Sequence, residues 1–598
     1  MSTKYCGYCG KVLKVNLTDR SVSEYPFSDK DREKYLGGKI MAAKIIADHI
    51  KGKIDPLSEE NVIVVTTGPL NALGAPCSSR FNTSTISPLT GYYTSSNCGG
   101  NFGMSLKRAG YDALIITGKS EEKVYLKVTA GGVEFKDATP YWGMKTGEAQ
   151  EQIPDKGEKF VIGPAGENLV RYACVVSNER AAGRGGVGAV FGSKNLKGIV
   201  ADGHVTPKIF NEEKYKTNNE KWTKRLRIHP TTGVQLPELG TAGLVSTMNA
   251  KNLLATNNYR SGKYDKFEDV CGETLKEDYL VRNSGCVTCP IRCARVVKVE
   301  GKEVKGPEVE TLGLFGPNIL NNNMQSILDL NYEMDELGID TISCGNTISF
   351  AMELNEKGMW KNDLEFGKID NVGKVIEDIA YRRGIGDDLA EGSMRLAEKY
   401  GGHEFAMNAK GMELAAYEPR GAVGQGLGYA VANRGGCHLN GGYLVVLEGL
   451  GLSVNPYTTH GKGVLCAMFQ DLMEACSAGG NCLFTTYAFF PTFLMSKPNS
   501  IVTRIVNKVM TELGLVIKLL LRVPTAIAMH MPFEMLPHTK AIYYATGMKM
   551  NFGKFLRIGE RGYNLERLID IKLGVSEKDD DLPCLLYTSP SPRDRTRS

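Results

Sequence analysis

The chain has 598 residues, 42 % of them hydrophobic and 23 % charged, and a formal net charge of +5. That composition belongs to a folded globular protein and excludes a mainly disordered chain. So small a surplus of positive charge gives no argument for nucleic-acid binding. At ~150 residues per domain the length predicts about three or four domains. Residues 1–6 lack the apolar segment of a secretion signal. The most apolar stretch, 513–531, is interrupted by Lys518 and Arg522, so no membrane span is expected. The expected compartment is the cytoplasm. There the 15 cysteines should be thiols, metal ligands or small buried hydrophobes rather than disulfides. Glycine is abundant, 68 residues, and much of it sits in loop-like clusters where backbone can approach a ligand closely.

In chain order, 12–17 and 21–25 flank Thr18-Asp19-Arg20 as a hairpin. Residues 61–66, 113–117, 124–128 and 159–162 read as strands, with a helix over 31–49. Residues 1–208 are therefore expected to form a β-rich domain, closed by the Thr206-Pro207-Lys208 boundary. The segment 209–407 reads as mainly helical, with apolar spacings of three and four over 326–337, 347–357, 372–383 and 387–400. Residues 408–584 mix glycine-rich loops with helices. Residues 585–598 turn abruptly to Ser, Pro and Arg and resemble translated sequencing adapter. They are expected to be a non-native tail that truncates the third domain.

The strongest local signal is Cys286-x-x-Cys289-Pro-x-x-Cys293. Three thiolates so spaced can wrap one [4Fe–4S] cluster, which needs a fourth ligand from elsewhere. Zinc bound by three cysteines and a histidine is the rival. Two glycine-rich loops, 95–103 and 180–188, hold Gly99, Gly100, Ala182, Gly183 and Arg184. Their exposed N–H groups and the arginine suit phosphate, although tight turns that only pack account for either loop alone. Neither loop is a nicotinamide or P-loop fingerprint. A third run, 418–440, ends in Arg434-Gly-Gly-Cys437-His438 and contains one of only eight histidines. Gly306-Pro-Glu308-Val-Glu310-Thr311 reads by itself as an exposed acidic turn, and Cys6-x-x-Cys9 as an exposed terminus without a role.

Together, in order, these motifs resemble the tungsten-pterin aldehyde:ferredoxin oxidoreductase family. The matching segments are 87–91, 97–100, 163–169, 180–190, 192–197, 286–293, 306–310, 335–340 and 434–438, and the match runs on to Asp581-Leu582-Pro583. The resemblance implies an α+β protein: a β-rich N-terminal pterin-binding domain followed by two mainly α-helical domains. It implies tungsten, rarely molybdenum, between two pterins, with one [4Fe–4S] cluster on Cys286, Cys289, Cys293 and Cys482. Arg80 and Asn97, with the backbone near Ala182, would handle the pterin phosphates and a magnesium bridging them. Asp335-x-x-Gly338-Ile-Asp340 would grip one pterin. Ser477 stands where the second such loop has Asp. Glu310 would be the general base, and His438 would hydrogen-bond the substrate carbonyl. Asn440 replaces a lysine of close relatives. Asp329-Leu-Asn-Tyr332 replaces a metal-bridging Glu-x-x-His, so no bridging metal is expected and a homodimer is left undecided. The implied reaction oxidises an aldehyde to a carboxylic acid, with electrons leaving through the cluster to ferredoxin or another iron–sulfur subunit. Reductive chemistry on an aryl-CoA thioester, an electron-transfer subunit without metallopterin and a zinc scaffold are the alternatives.

Overall fold

The computed structural model describes residues 3–452, 454–497, 500–512 and 536–587. The apolar stretch 513–531 and most of the suspected tail, 588–598, lie outside the described residues. Twelve strands precede residue 203: β1 (Val12–Asn16), β2 (Val22–Glu24), β3 (Ile63–Thr66), β4 (Phe81–Ile86), β5 (Tyr93–Cys98), β6 (Ala113–Thr117), β7 (Val124–Thr129), β8 (Gly132–Asp137), β9 (Glu158–Ile162), β10 (Val175–Ser177), β11 (Arg180–Ala182) and β12 (Leu196–Asp202). They form two six-stranded sheets, in the orders β2-β1-β6-β3-β4-β5 and β11-β10-β9-β12-β7-β8. Only the pairs β1/β6 and β7/β12 are parallel; the other pairs are antiparallel.

Side-chain alternation explains the first sheet. Ile63, Val65, Leu114 and Ile116 point into the core between the two sheets. Their neighbours Val62, Val64, Ala113 and Ile115 point the other way, against helices. A strand buried on both faces reads as a continuous apolar run rather than an alternating one. Phe160 anchors the inter-sheet core, with ring centroids 5.1 Å from Phe81, 5.0 Å from Phe102 and 5.9 Å from Phe191. The outer face is covered by the helix Gly38–His49 and by Ile569 and Leu573 of the helix Phe552–Leu573.

Strands β4 and β5 are rich in Ser, Thr and Asn, yet almost wholly buried. Nothing in 81–98 has the apolar signature of a strand. Their side chains satisfy one another, as Ser84 Oγ does in donating to Ser95 Oγ at 2.9 Å.

The helix expected over 31–49 is two, Asp29–Tyr35 and Gly38–His49. Leu36, at φ +54°, turns the chain between them. The expected helix over 387–400 also divides, into Ile385–Leu389 and Ser393–Tyr400, at Gly392 with φ +88°. Helices Met324–Leu337, Thr341–Glu356 and Val372–Tyr381 lie where the periodicity puts them. The mainly helical middle also holds a small antiparallel sheet, β13 (Arg282–Ser284), β14 (Ala294–Val299) and β15 (Lys302–Lys305). Among the described residues no helix is long and apolar enough to cross a membrane. Cys6 and Cys9 are half-buried rather than on an exposed terminus, since the Cys9 N–H is tied to Asp112 Oδ1 at 3.0 Å.

Candidate active site

The motif Cys286-x-x-Cys289-Pro-x-x-Cys293 is the connection of the β13/β14 hairpin. Its sharp course needs left-handed backbone at Thr288 (φ +61°) and Arg292 (φ +50°). The helix Lys462–Gly479 ends on Gly480, at φ +87°, and the chain then delivers Cys482 to the same place. Residues 68–80 hold the two together. The Cys77 N–H reaches Thr288 O at 3.4 Å, and the Cys77 carbonyl accepts the Cys482 N–H at 2.9 Å.

The thiols sense one another electrically. Burial raises Cys482, helped by Cys289 and Cys286. Burial also pushes Cys286 up, but Arg80 and Arg180 more than offset it and the net direction is down. Cys289 falls to about 6, chiefly through its hydrogen bond with Cys77. Among the described residues no three Cys, His, Asp or Glu converge on a point that one metal ion would occupy. Cys77 lies 3.4 Å from Cys289, sulfur to sulfur, and was not singled out by the sequence. It stands alone in the chain, without CxxC spacing, so no local signal marks it.

A cavity of about 310 Å³ lies beside Cys482. Arg80, Asn97, Gly183, Arg184, Asp335, Asp340, Glu310 and His438 all line it, from all three expected domains. Lys305, Glu308 and Arg434, which the sequence reading did not place in the site, line it too. Arg80 Nη1 donates to Asn97 Oδ1 at 3.2 Å, and its Nη2 lies 3.6 Å from Cys482 Sγ. It therefore links cavity and thiol cluster. Asp340 caps the helix Thr341–Glu356 through the N–H groups of Ile342 and Ser343 and pairs with Arg184 Nε at 3.1 Å. Gly338, at φ +76°, ends the preceding helix and turns Asp335 and Asp340 to the same cavity.

Other expected residues lie outside the cavity lining. Gly99 and Gly100 lie behind it. A Cβ on Gly99 would meet Cys286 Sγ at 2.8 Å, so glycine here permits the close approach of that thiol. Ala182 is buried beside Gly183. Ser477 is behind the wall, with Asn97 Nδ2 at 3.5 Å from its hydroxyl. Asn440 turns away into a buried polar cluster, donating to Glu474 and Glu566 at 3.2 and 3.4 Å. The charge there comes instead from Lys39, which pairs with both carboxylates.

Glu310 is not in an exposed turn. It occupies the first turn of the helix Val309–Phe315 and is 8 % exposed. Its Oε2 accepts the Ala416 N–H at 2.7 Å, while Oε1 lies 3.7 Å from His438 Nε2. Burial raises the Glu310 carboxyl to about 7, and the Ala416 N–H and Arg184 only partly oppose it. Burial, with Arg184 and Arg434 adding to it, holds His438 well below its usual range. The imidazole is therefore neutral at pH 7, and its contact with Glu310 is not an ion pair. Its ring sits between those of Tyr417 and Tyr443, 5.6 and 5.4 Å away.

The cavity's polar groups fit a large anionic guest that also carries N–H donors. Arg184 Nη1, Arg434 Nε, His438 Nδ1 and Glu310 Oε1 are buried with no hydrogen-bond partner among the described residues. Unpartnered buried polar atoms are costly unless a ligand meets them. A Cβ on Gly183 would meet only Asp340, at 3.9 Å, so its backbone is open to the cavity.

The chain is similar to known proteins over nearly its whole length. Residues 12–203 match the profile described as aldehyde ferredoxin oxidoreductase, N-terminal domain, and residues 217–597 the one described as its domains 2 and 3. A tungsten-containing aldehyde ferredoxin oxidoreductase from Pyrococcus abyssi is 38 % identical over 606 residues, covering 98 % of this chain and 92 % of that protein. An aliphatic sulfonate oxidoreductase, WOR-like subunit, from Pyrococcus furiosus is 31 % identical over 472 residues, covering 72 % and 75 %. Among solved structures, a chain of the benzoyl-coenzyme A reductase active-site complex with 1,5-dienoyl-CoA superposes with a TM-score of 0.78 at 23 % identity, covering 98 % and 93 %.

Proposed function

Because this chain belongs to the aldehyde ferredoxin oxidoreductase family, we propose that its cavity oxidises aldehydes to carboxylic acids, with Glu310 as general base and His438 as carbonyl hydrogen-bond donor. The observation that carries this reading is the meeting of Glu310, His438, Arg80 and Cys482 at one cavity. The tungsten bis-pterin would be held by Asp335, Asp340, Asn97, Arg80 and the unpartnered N–H groups of Arg184 and Arg434, with magnesium at the phosphate end. The [4Fe–4S] cluster would be held by Cys286, Cys289, Cys293 and Cys482. When bound, these groups supply a two-electron acceptor and a one-electron exit.

The chain's own residues do the proton work. Oxidation of RCHO and H2O to RCOOH releases two protons and two electrons. A carboxyl that titrates near pH 7 is matched to taking one of those protons at neutral pH. Its Oε2 is pinned by the Ala416 amide, which leaves Oε1, beside His438, as the oxygen to take a proton from water. With its proton on Nε2, the neutral His438 ring presents a donor where negative charge grows on the carbonyl oxygen. Behind it pack apolar side chains, Tyr443 and Phe469 together with Leu439, Leu483 and Phe484, the last three of which also line the main cavity. These packed side chains keep bulk water away from the charges. The likeness to a benzoyl-coenzyme A reductase chain speaks for the fold alone, and no feature of the cavity favours the reductive alternative.

The test is elemental analysis of anaerobically purified protein, followed by an aldehyde panel with a viologen acceptor. One tungsten and about four irons per chain, with aldehyde-dependent reduction of the dye, is the expected result. Zinc alone, or full metal without aldehyde turnover, would refute the reading. His438→Asn in loaded enzyme should lower kcat by ~10²-fold, the cost of one charge-stabilising donor.

A further inference from the structure

A groove of about 410 Å³ opens on the outer side of the cysteine hairpin. Cys286 and Cys289 line it, whereas Cys482 lines the inner cavity. A cluster held by these cysteines would have ligands facing each cavity. Three arginines wall the groove: Arg227 of the helix Glu212–Ile228, Arg282 of β13, and Arg292 of the hairpin loop. All three are exposed, and no Asp or Glu is among the residues lining it. Arg282 does reach Glu303 outside the groove, at 3.1 Å. The chain neighbours of this lining are exposed apolar side chains, Ile228 at 61 %, Val281 at 39 % and Val287 at 43 %. Isolated exposed apolar residues are ordinary. Three beside an arginine-walled groove have the composition of a protein–protein contact rather than of inert surface.

We propose that this groove is the docking surface of an acidic, one-electron iron–sulfur carrier protein, which collects electrons through the wall formed by Cys286 and Cys289. The proposal rests on the oxidoreductase reading above. Each transfer moves one electron from the reduced cluster to the oxidised carrier, with no bond made and no proton moved, so two carriers are reduced per aldehyde. The arginines attract an acidic partner and orient it, which raises the association rate and makes it salt-dependent. The apolar side chains provide short-range contact once water is expelled.

The test compares two acceptors on the metal-loaded full-length chain. Benzyl viologen is a small dication that needs no docking surface; an acidic ferredoxin with a single [4Fe–4S] cluster is the protein probe. In the Arg227→Glu/Arg282→Glu double variant the viologen rate should stay within about twofold of wild type. The ferredoxin KM should rise about tenfold, and the fall of ferredoxin kcat/KM with salt should become shallower. Arg227→Lys/Arg282→Lys should restore both. Wild-type ferredoxin kinetics and salt dependence in the charge-reversed variant, with viologen activity intact, would overturn the docking surface and leave the oxidoreductase reading standing. A wild-type chain that reduces neither acceptor with any aldehyde overturns both.

Discussion

Replacing Glu310 by Gln removes the ionisation but keeps the shape. The Glu310 carboxyl is raised from 4.5 to about 7. At 1.36 kcal/mol per tenfold change in proton affinity, that gap is on the order of 3 kcal/mol. The sign follows from linkage. A carboxyl whose folded pKa lies above its unfolded value opposes folding only once it is ionised. The cost is absent below about pH 4.5, grows as pH rises to about 7, and is constant above. Glu310→Gln should therefore be more stable than wild type at pH 8 by up to ~3 kcal/mol and match it near pH 4. Loss of a positioned base should lower kcat by ~10²–10⁴-fold. The rising limb of the wild-type pH–rate profile, near pH 7, should vanish in the variant. Paired denaturant titrations at pH 4 and 8, with initial rates from pH 5 to 9 on metal-loaded enzyme, measure all three. If the limb persists in the variant, some other group is the base; equal stability of the two proteins at pH 8 would refute the desolvation argument itself.

Three further outcomes are expected. Cys482→Ser should lose an iron or the whole cluster while tungsten stays, read by metal analysis and electron paramagnetic resonance; four irons retained would remove Cys482 from the ligand set. Cys77→Ala should lower the ratio of reduced to oxidised cluster at fixed poise by about three- to tenfold, because one hydrogen bond to the Cys289 sulfur is lost. Cys77→Ser should largely preserve that ratio, and identical titrations for both variants would show that the thiol has no influence on the cluster. Lys39→Met leaves Glu474 and Glu566 buried together without their cation and should cost about 3–5 kcal/mol in a urea titration at pH 7.5; a loss below about 1 kcal/mol would mean that the two carboxylates share a proton instead.

The legible parts of the molecule are those where chemistry is written in contiguous residues. The strands 113–117 and 159–162 show as apolar runs, and the hairpin cysteines show as spacing. Strands β4 and β5 were hidden because their Ser, Thr and Asn side chains are buried by satisfying each other, a partnership made only in the folded sheet. The acidic segment around Glu310 reads as solvent-facing by composition. Its burial comes from the Ala416 amide and the rings of Tyr417 and Tyr443, which are about a hundred residues away. Asn440 illustrates the reverse case. The resemblance set a lysine against Asn440, but nothing in the sequence shows that Lys39 enters from another helix to place a cation there. Cys77 was invisible for the same reason: its meaning lies in a contact with Cys289, not in its neighbours along the chain.

The segment around Cys77 also dictates an order of events. Its backbone grips the hairpin loop through Thr288 and the fourth ligand through Cys482, while a Cβ on Gly68 would meet the Gly479 carbonyl carbon at 2.3 Å. The hairpin and Cys482 are separated by nearly two hundred residues, and their meeting place is a loop of the N-terminal part of the chain. The chain must therefore be made past Cys482 before the hairpin thiols and Cys482 can stand together. If these thiols hold the proposed cluster, its loading is a late event that follows the assembly of the fold.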